Sequence, residues 1–486
     1  MSNIEPREVF DIFAKINQVP RPSKHEERIC QWLQDFARNH SIDCTVDDAM
    51  NVIMRKPATA GYETHPGVIL QAHMDMVCEK NGDVEHDFFN DPIQTYIDGE
   101  WLKAKGTTLG ADNGIGIAMA LAVLIDDTLR HPAIECLFTV DEETGLTGAN
   151  KLKDGYLTGK RLINLDSEDD GQIFIGCAGG IDTLAKMHYT PIPLPAQKQW
   201  FAIRLSVSGL MGGHSGDDIN KGRGNANKLI INFLNLLMTK TEFQIASISG
   251  GNLRNAIARE AEAVVCVPLA YKEQVRADWN IYSAEVEREL GSIEKDLRLD
   301  LESAPLPEVV IPEKQAYQLV MALYACPHGM VAMSKDMPGL VETSTNLASI
   351  KMKTEPDGRP FVEVNTSQRS SVEEEKHHIK DRVEYSLAMA CDEVTHGDGY
   401  PGWAPNVHSP LLEATRRAYI DLFAAEPQVL AIHAGLECGL FLEKYPYLDM
   451  VSIGPQMYGV HSPQERLSIP STERCYRWLK HTLETL

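Results

Sequence analysis

No apolar run in this 486-residue chain is long enough to span a bilayer. The longest, Gly114 to Ile125, falls well short of the roughly 20 residues a membrane helix needs. Paired cysteines are also missing. The ten cysteines are scattered with no Cys-x-x-Cys, which argues against a thiolate zinc site and reads as small buried side chains in a reducing compartment. Positive charge is scarce. The 46 Lys and Arg residues face 69 acids, a formal charge of −23, the reverse of the basic footprint that nucleic-acid binding needs. The opening Met-Ser-Asn-Ile-Glu-Pro-Arg-Glu lacks a basic segment followed by an apolar one. No secretory leader is therefore expected, and the expected compartment is the cytoplasm. Low-complexity segments are absent too. With 43% hydrophobic and 24% charged residues the composition is globular, and the length implies two or three domains rather than one core.

What is present is a series of short apolar strands that end in metal-ligand chemistry. Val68 to Ala72 reads as a buried strand and runs into His73-Met74-Asp75. A ligand histidine usually needs such a carboxylate to fix its tautomer; the alternative is an ordinary loop histidine. The glycine-rich stretch Gly106 to Gly116 meets neither the phosphate-loop nor the dinucleotide pattern, and it places Asp112 at the entrance of a helix to about Ile125. Capping that helix is the alternative role for Asp112. Ile134 to Val140 ends in Asp141-Glu142-Glu143-Thr144-Gly145, where adjacent carboxylates repel unless solvated or held by cations. Leu162 to Leu165 ends in Asp166-Ser167-Glu168. Three strands with such endings are hard to attribute to chance. In α/β sheets, sites gather beyond the carboxyl ends of strands.

The remaining elements follow from periodicity. Helices are expected at Glu8 to Lys15 and Glu26 to Phe36, with Ser23 as a cap paired with Glu26. Pro191 to Pro195 marks a linker. Beyond it the pattern becomes α+β, with strands at Trp200 to Val207 and Val264 to Leu269 and helices at Asn225 to Met238 and Trp279 to Leu297. A second set runs from about Gln315 to Ala390, which suggests two related halves without an exact repeat. Gly397 to Trp403 returns the chain to the first pattern, and His461-Ser462-Pro463-Gln464-Glu465 precedes a last helix. The expected fold class is α/β with two domains: a catalytic domain of residues 1–193 and 397–486, with a mixed central sheet flanked by helices, and an inserted α+β domain of residues 194–396.

His73, Asp112, Glu143, Asp166 and His461, with Asp75 and Glu142 beside them, form a mixed nitrogen and oxygen set suited to zinc, cobalt or manganese. Two ions about 3.5 to 4 Å apart need a bridging carboxylate, plus a nitrogen and a carboxylate for each. With its five motifs in order, the chain resembles the co-catalytic zinc metallopeptidase family of carnosinases, di- and tripeptidases, carboxypeptidases and aminoacylases. The likeness is nearly end to end with the branch that cleaves Xaa-His dipeptides. It includes Gly212-Gly213-His214-Ser215-Gly216, Asn252-Leu253-Arg254-Asn255 and His433-Ala434-Gly435-Leu436-Glu437.

The resemblance implies two Zn²⁺ per subunit, with Co²⁺ or Mn²⁺ as substitutes. His73 and Asp166 would hold one ion, Glu143 and His461 the other, and Asp112 would bridge. Asp75 would orient His73, and Glu142 would be the general base. His214 would polarise the scissile carbonyl from a lid, and Asn255, Arg369, His433 and Gly435 would bind substrate. It further implies dipeptide substrates with a preference for Xaa-His peptides, β-alanyl-histidine included, and a homodimer formed through the inserted lid domain; neither nucleic acid nor membrane is an expected partner. A tripeptidase, an N-acyl amino acid deacylase and a non-catalytic peptide-binding protein are the alternatives. A serine hydrolase is disfavoured because His214-Ser215 lacks the Gly-x-Ser-x-Gly elbow.

Overall fold

The computed structural model describes residues 4–486; the first three residues of the segment inspected for a leader lie outside it. Two compact units emerge. One comprises the chain up to Cys177 with Trp403–Ala431 and Leu436–Leu486; the other comprises Ala178–Gly402 with Ile432–Gly435. The expected boundary after residue 193 therefore falls inside the second unit. The strand Gly179–His188 pairs along its whole length with Pro360–Ser370, and this draws it into that unit's sheet. Among the described residues no helix is long and apolar enough to cross a membrane.

The first unit is built on an eight-stranded mixed sheet. Its order is Asp43–Val46, Val52–Lys56, Ile134–Thr139, Val68–His73, Arg161–Asn164, Asp449–Ser452, Gln172–Cys177 and Gln428–Ile432. The four central strands are parallel. Val68–His73 and Ile134–Thr139 are buried at every position, as expected for parallel strands covered on both faces. Helix Ala111–Ile125 is apolar on nearly all sides and almost entirely buried, and Arg7–Ile16 packs against it. A four-stranded sheet of Met457–Tyr458, Arg466–Ser468, Trp101–Ala104 and Thr95–Asp98 anchors both ends of the loop that carries His461.

The second unit has a nine-stranded antiparallel sheet. Its first half runs strand Trp200–Ser208, helix Ala226–Met238, strands Gln244–Gly250 and Ala261–Pro268, helix Lys272–Leu290, strand Arg298–Ala304. The second half runs strand Gly179–His188, helix Glu313–Ala325, strands Val341–Thr354 and Pro360–Ser370, helix Glu373–Leu387, strand Glu393–His396. In space both halves adopt the order fourth, first, third, second strand, and their second strands pair antiparallel at Gly250 and Ile350. The two related halves are thus one βαββαβ topology used twice, the first copy inserted after the first strand of the other.

The helix expected over Trp279 to Leu297 instead occupies Lys272–Leu290 and stops at Gly291. Glycine is a weak helix former and a frequent helix end. The alternating residues beyond it form the outermost strand, Arg298–Ala304.

Candidate metal centre

The parallel strands of the first unit deliver the candidate ligands from their carboxyl ends. His73 is the last residue of its strand, Glu142 and Glu143 follow Ile134–Thr139, and Asp166 follows Arg161–Asn164. Asp112 enters at the start of the buried helix, but not as its cap. Its backbone is extended (φ −79°, ψ 107°), but its carboxylate oxygens face His73 Nε2 and His461 Nε2 rather than the first N–H groups of the helix. His461 is in the left-handed region at φ 61°, on the loop held by the small sheet.

These side chains converge. His73 Nε2 is 3.0 Å from Asp112 Oδ1 and 3.3 Å from Asp166 Oδ1. His461 Nε2 is 3.2 Å from Asp112 Oδ2 and 3.0 Å from Glu143 Oε2. Among the described residues four donor groups result: His73–Asp112–Asp166 and Asp112–Glu143–His461, which share Asp112, then His73–Glu142–Glu143, and the fully buried Glu26–Asp75–Asp141. His73 and the carboxylates are nearly buried, whereas the His461 side chain is 50% exposed, so the His461 edge is the one open to solvent. Asp75 lies 3.3 Å from His73 Nδ1 and is fully buried. No cysteine belongs to a metal-type group among the described residues.

The electrostatics reflect crowding of acids away from water. Burial pushes Glu142 well above the usual carboxylate range, reinforced by Asp166, Glu437 and Glu143 and opposed by His73. Burial likewise lifts Asp166 to about 6. Asp112 is held below its usual value, because hydrogen bonds from His461 and His73 overcome its burial. Hydrogen bonding to Asp112 and Glu143 lifts His461 to about 11. Glu143 Oε1 is buried without a hydrogen-bond partner. Two imidazoles and three carboxylates around a buried orphan oxygen fit a pair of divalent cations.

The second unit groups other expected residues. The ring of His214 is 3.3 Å from Asp217 through Nδ1, and its backbone N–H donates to Asp218 at 2.8 Å. Asn255 is exposed in the turn just before Ala256, which bridges His214, and its carbonyl accepts the Ser215 N–H at 2.8 Å. Arg369 is buried and donates to the Tyr400 hydroxyl at 3.1 Å, leaving its Nε without a partner. His433 is buried with Nε2 2.7 Å from Ser344 Oγ. Burial, reinforced by the Arg369 charge, lowers His433 to about 4. Gly435 lies so close to the Tyr400 ring that a Cβ there would come within 2.7 Å of it.

Several residues escaped the sequence reading. Ser23 does not cap the following helix; its hydroxyl donates to Asp75 Oδ2 at 2.8 Å, and Glu26 accepts the Lys24 and Asp141 N–H groups. Glu437 is buried and accepts from Gln71 at 2.6 Å and Thr139 at 2.8 Å beneath the site. Burial lifts it to about 8. Arg21 and Glu465 are both buried, and burial lifts Glu465 to about 7. Glu437 and Glu465 stand inside motifs noted for other residues, which is the one local signal they carried. Arg21 had none.

Comparison with known proteins follows the same lines. The profile of Peptidase family M20/M25/M40 matches residues 69–485. Over 487 aligned residues the chain is 41% identical to the cytosol non-specific dipeptidase of Escherichia coli (strain K12), covering 100% of this chain and 99% of that protein. The crystal structure of aminoacylhistidine dipeptidase from Vibrio alginolyticus is also 41% identical, with a TM-score of 0.93 over 100% of this chain and 98% of that one. Aminopeptidase PepT from Bacillus cereus has a TM-score of 0.60 at 16% identity over 99% of each chain, a likeness of fold alone.

Proposed function

The chain belongs to Peptidase family M20/M25/M40, and from that premise we propose that it is a zinc-dependent dipeptidase with Xaa-His peptides, β-alanyl-histidine included, among its substrates. The observation that carries this reading is the pair of donor groups sharing Asp112, with Glu142 beside them. Two full-length relatives at 41% identity support the substrate class. One is named for non-specific dipeptides and the other for aminoacylhistidine, so breadth is the open variable.

His73 and Asp166 would hold one zinc ion and Glu143 and His461 the other, with Asp112 between them. Bound there, the ions supply Lewis acidity and lower the pKa of a bound water from about 15.7 toward about 7. Glu142 is the general base: it takes the proton of the attacking water and hands it to the leaving amine nitrogen. Asp75 keeps the His73 ring in one tautomer through Nδ1.

His214 is assigned to polarising the scissile carbonyl. Arg369 and Asn255 are assigned to the substrate carboxylate, for which a guanidinium offers two parallel hydrogen bonds. His433 and Gly435 complete the substrate-binding group. The second unit is assigned the roles of lid and dimer contact, the assembly is proposed to be a homodimer, and the compartment is proposed to be the cytoplasm.

The test is hydrolysis of β-alanyl-histidine beside α-dipeptides, a tripeptide and an N-acetyl amino acid, before and after chelation and zinc return. Dipeptide cleavage that disappears with chelator and returns with zinc is expected. Metal-dependent cleavage of the tripeptide or the acyl amino acid alone would replace the substrate class, and inactivity of zinc-loaded protein on all of them would remove the catalytic reading.

A further inference from the structure

Two buried charges that no catalytic step uses hold the loop of the shared carboxylate from opposite sides. Glu465 is 2% exposed. Its Oε2 accepts the N–H groups of Leu109 at 2.6 Å and Gly110 at 3.0 Å, and its Oε1 accepts those of Ala111 at 2.8 Å and Asp112 at 3.4 Å. Arg21 is 1% exposed. It donates to the carbonyl of Gly110 at 2.6 Å and to the carbonyls of Met74 at 3.3 Å and Asp75 at 3.0 Å. Gly110 therefore has its N–H on Glu465 and its C=O on Arg21. It sits at φ +66°, and a Cβ there would lie 2.5 Å from Arg21 Nη2.

The two grips reach every part of the centre that Asp112 touches. Glu465 lies four residues beyond His461 on the same loop, and its own N–H closes that turn onto Ser462 at 3.0 Å. Arg21 ties the Gly110 turn to the residues just after His73. Two residues on, Ser23 bonds Asp75. Burying such groups is costly unless they are hydrogen-bonded, and every side-chain hydrogen bond that Glu465 and Arg21 make goes to a backbone group of these loops rather than to a neighbouring side chain, Arg21 Nε being left without a partner.

We infer that Glu465 and Arg21 are positioning residues that together set the place of Asp112 between His73 and His461, and so determine whether both cation positions fill. The inference rests on the metal-centre reading above. With Glu465 altered, Asp112 and His461 lose their common anchor, and the position served by Asp112, Glu143 and His461 weakens. The position served by His73 and Asp166 keeps the strand-end ligands and persists.

The experiment is Co²⁺ titration of the metal-free full chain, followed by visible absorption, for wild type, Glu465→Gln and Arg21→Lys, with melting temperature measured in parallel. Wild type is expected to bind two Co²⁺. Glu465→Gln, which swaps acceptor capacity for a donor facing backbone N–H groups, is expected to bind one with near wild-type affinity and the second about 10- to 100-fold more weakly, with a changed absorption band. Arg21→Lys is expected to show the same split.

Two Co²⁺ bound by Glu465→Gln with wild-type affinity and spectrum, whatever its melting temperature, would overturn the positioning role. If Glu465→Gln does not fold, Arg21→Lys decides by the same criterion. Failure of both to fold in the presence of metal would replace positioning with a plain folding requirement. Absence of Co²⁺ binding by wild type would bring down the metal reading and this inference with it, an outcome distinct from variants that match wild type.

Discussion

Asp75 and His73 are joined at 3.3 Å between Oδ1 and Nδ1, and the same carboxylate accepts the backbone N–H groups of Glu142 at 3.0 Å and Glu143 at 3.3 Å. One buried side chain thus lies against the His73 imidazole and holds the turn that carries both the proposed base and another candidate ligand. The Ser23 hydroxyl takes its remaining acceptor site at 2.8 Å.

Asp75→Asn is therefore expected to damage two things at once. The amide has one acceptor oxygen where the carboxylate has two: with it on the Oδ1 side that His73 Nδ1 and the Glu142 N–H share, an NH2 donor faces the Glu143 N–H and the Ser23 hydroxyl, and with it on the other side the donor faces His73 and Glu142. Metal affinity should fall about 10- to 100-fold, measured by competition with a chromophoric chelator. Unchanged affinity would separate Asp75 from the metal centre.

Glu142→Gln keeps the shape of the site and removes the proton acceptor. Both metals should remain bound, by elemental analysis, while kcat falls about 100- to 10,000-fold. A kcat close to wild type would reassign the base.

Chelation should lower the melting temperature as well as abolish activity, since ligands that bind only the native state stabilise it. At a free metal concentration about 100 times Kd the gain is about 2.7 kcal/mol. Calorimetry with chelator and then with restored zinc measures it; identical melting curves would contradict a native-state metal site.

His433 gives the second unit an acid sensitivity. Its folded-state pKa of about 4 lies below the ordinary value of 6.5, because burial and the nearby Arg369 disfavour its protonation, with Asp217 opposing and His214 adding to the effect. The unfolded chain binds the proton more readily, so this contribution to stability is complete above pH about 6.5 and is lost as pH falls toward about 4. Between pH 7.5 and 5 the loss is about 2 kcal/mol. Urea unfolding of wild type and His433→Asn at both pH values should show the smaller drop in the variant, and equal drops would refute the assignment.

The strands that end in His73, Asp166 and the Glu142–Glu143 turn were legible because a buried parallel strand is a continuous apolar run and its ligand follows within a few residues. Both signals are local. The helix expected at Trp279 to Leu297 shows the limit of local periodicity: a charged amphipathic pattern runs without a break into an edge strand, and only sheet pairing places the change near Gly291. Ser23 and Glu26 have the spacing of a capping box, yet each is drawn to a distant partner, Asp75 and Asp141, because the site offers a stronger acceptor or donor than the helix end.

The sequence by itself determined which residues have ligand chemistry, which strands present them, and that a second α+β unit with two related halves is inserted in the chain. These follow from hydrophobic period and residue type along short stretches. The family resemblance already implied Asp112 between the two histidines; tertiary structure alone decided the geometry that puts it there and which buried groups hold its loop. Glu465 meets Ala111 across 354 positions of sequence, and Gln71 meets Glu437 across 366. The physical reason is desolvation. Once these groups leave water, each must find its partner among whatever backbone and side chains the completed sheet brings within reach, and no local pattern encodes that choice.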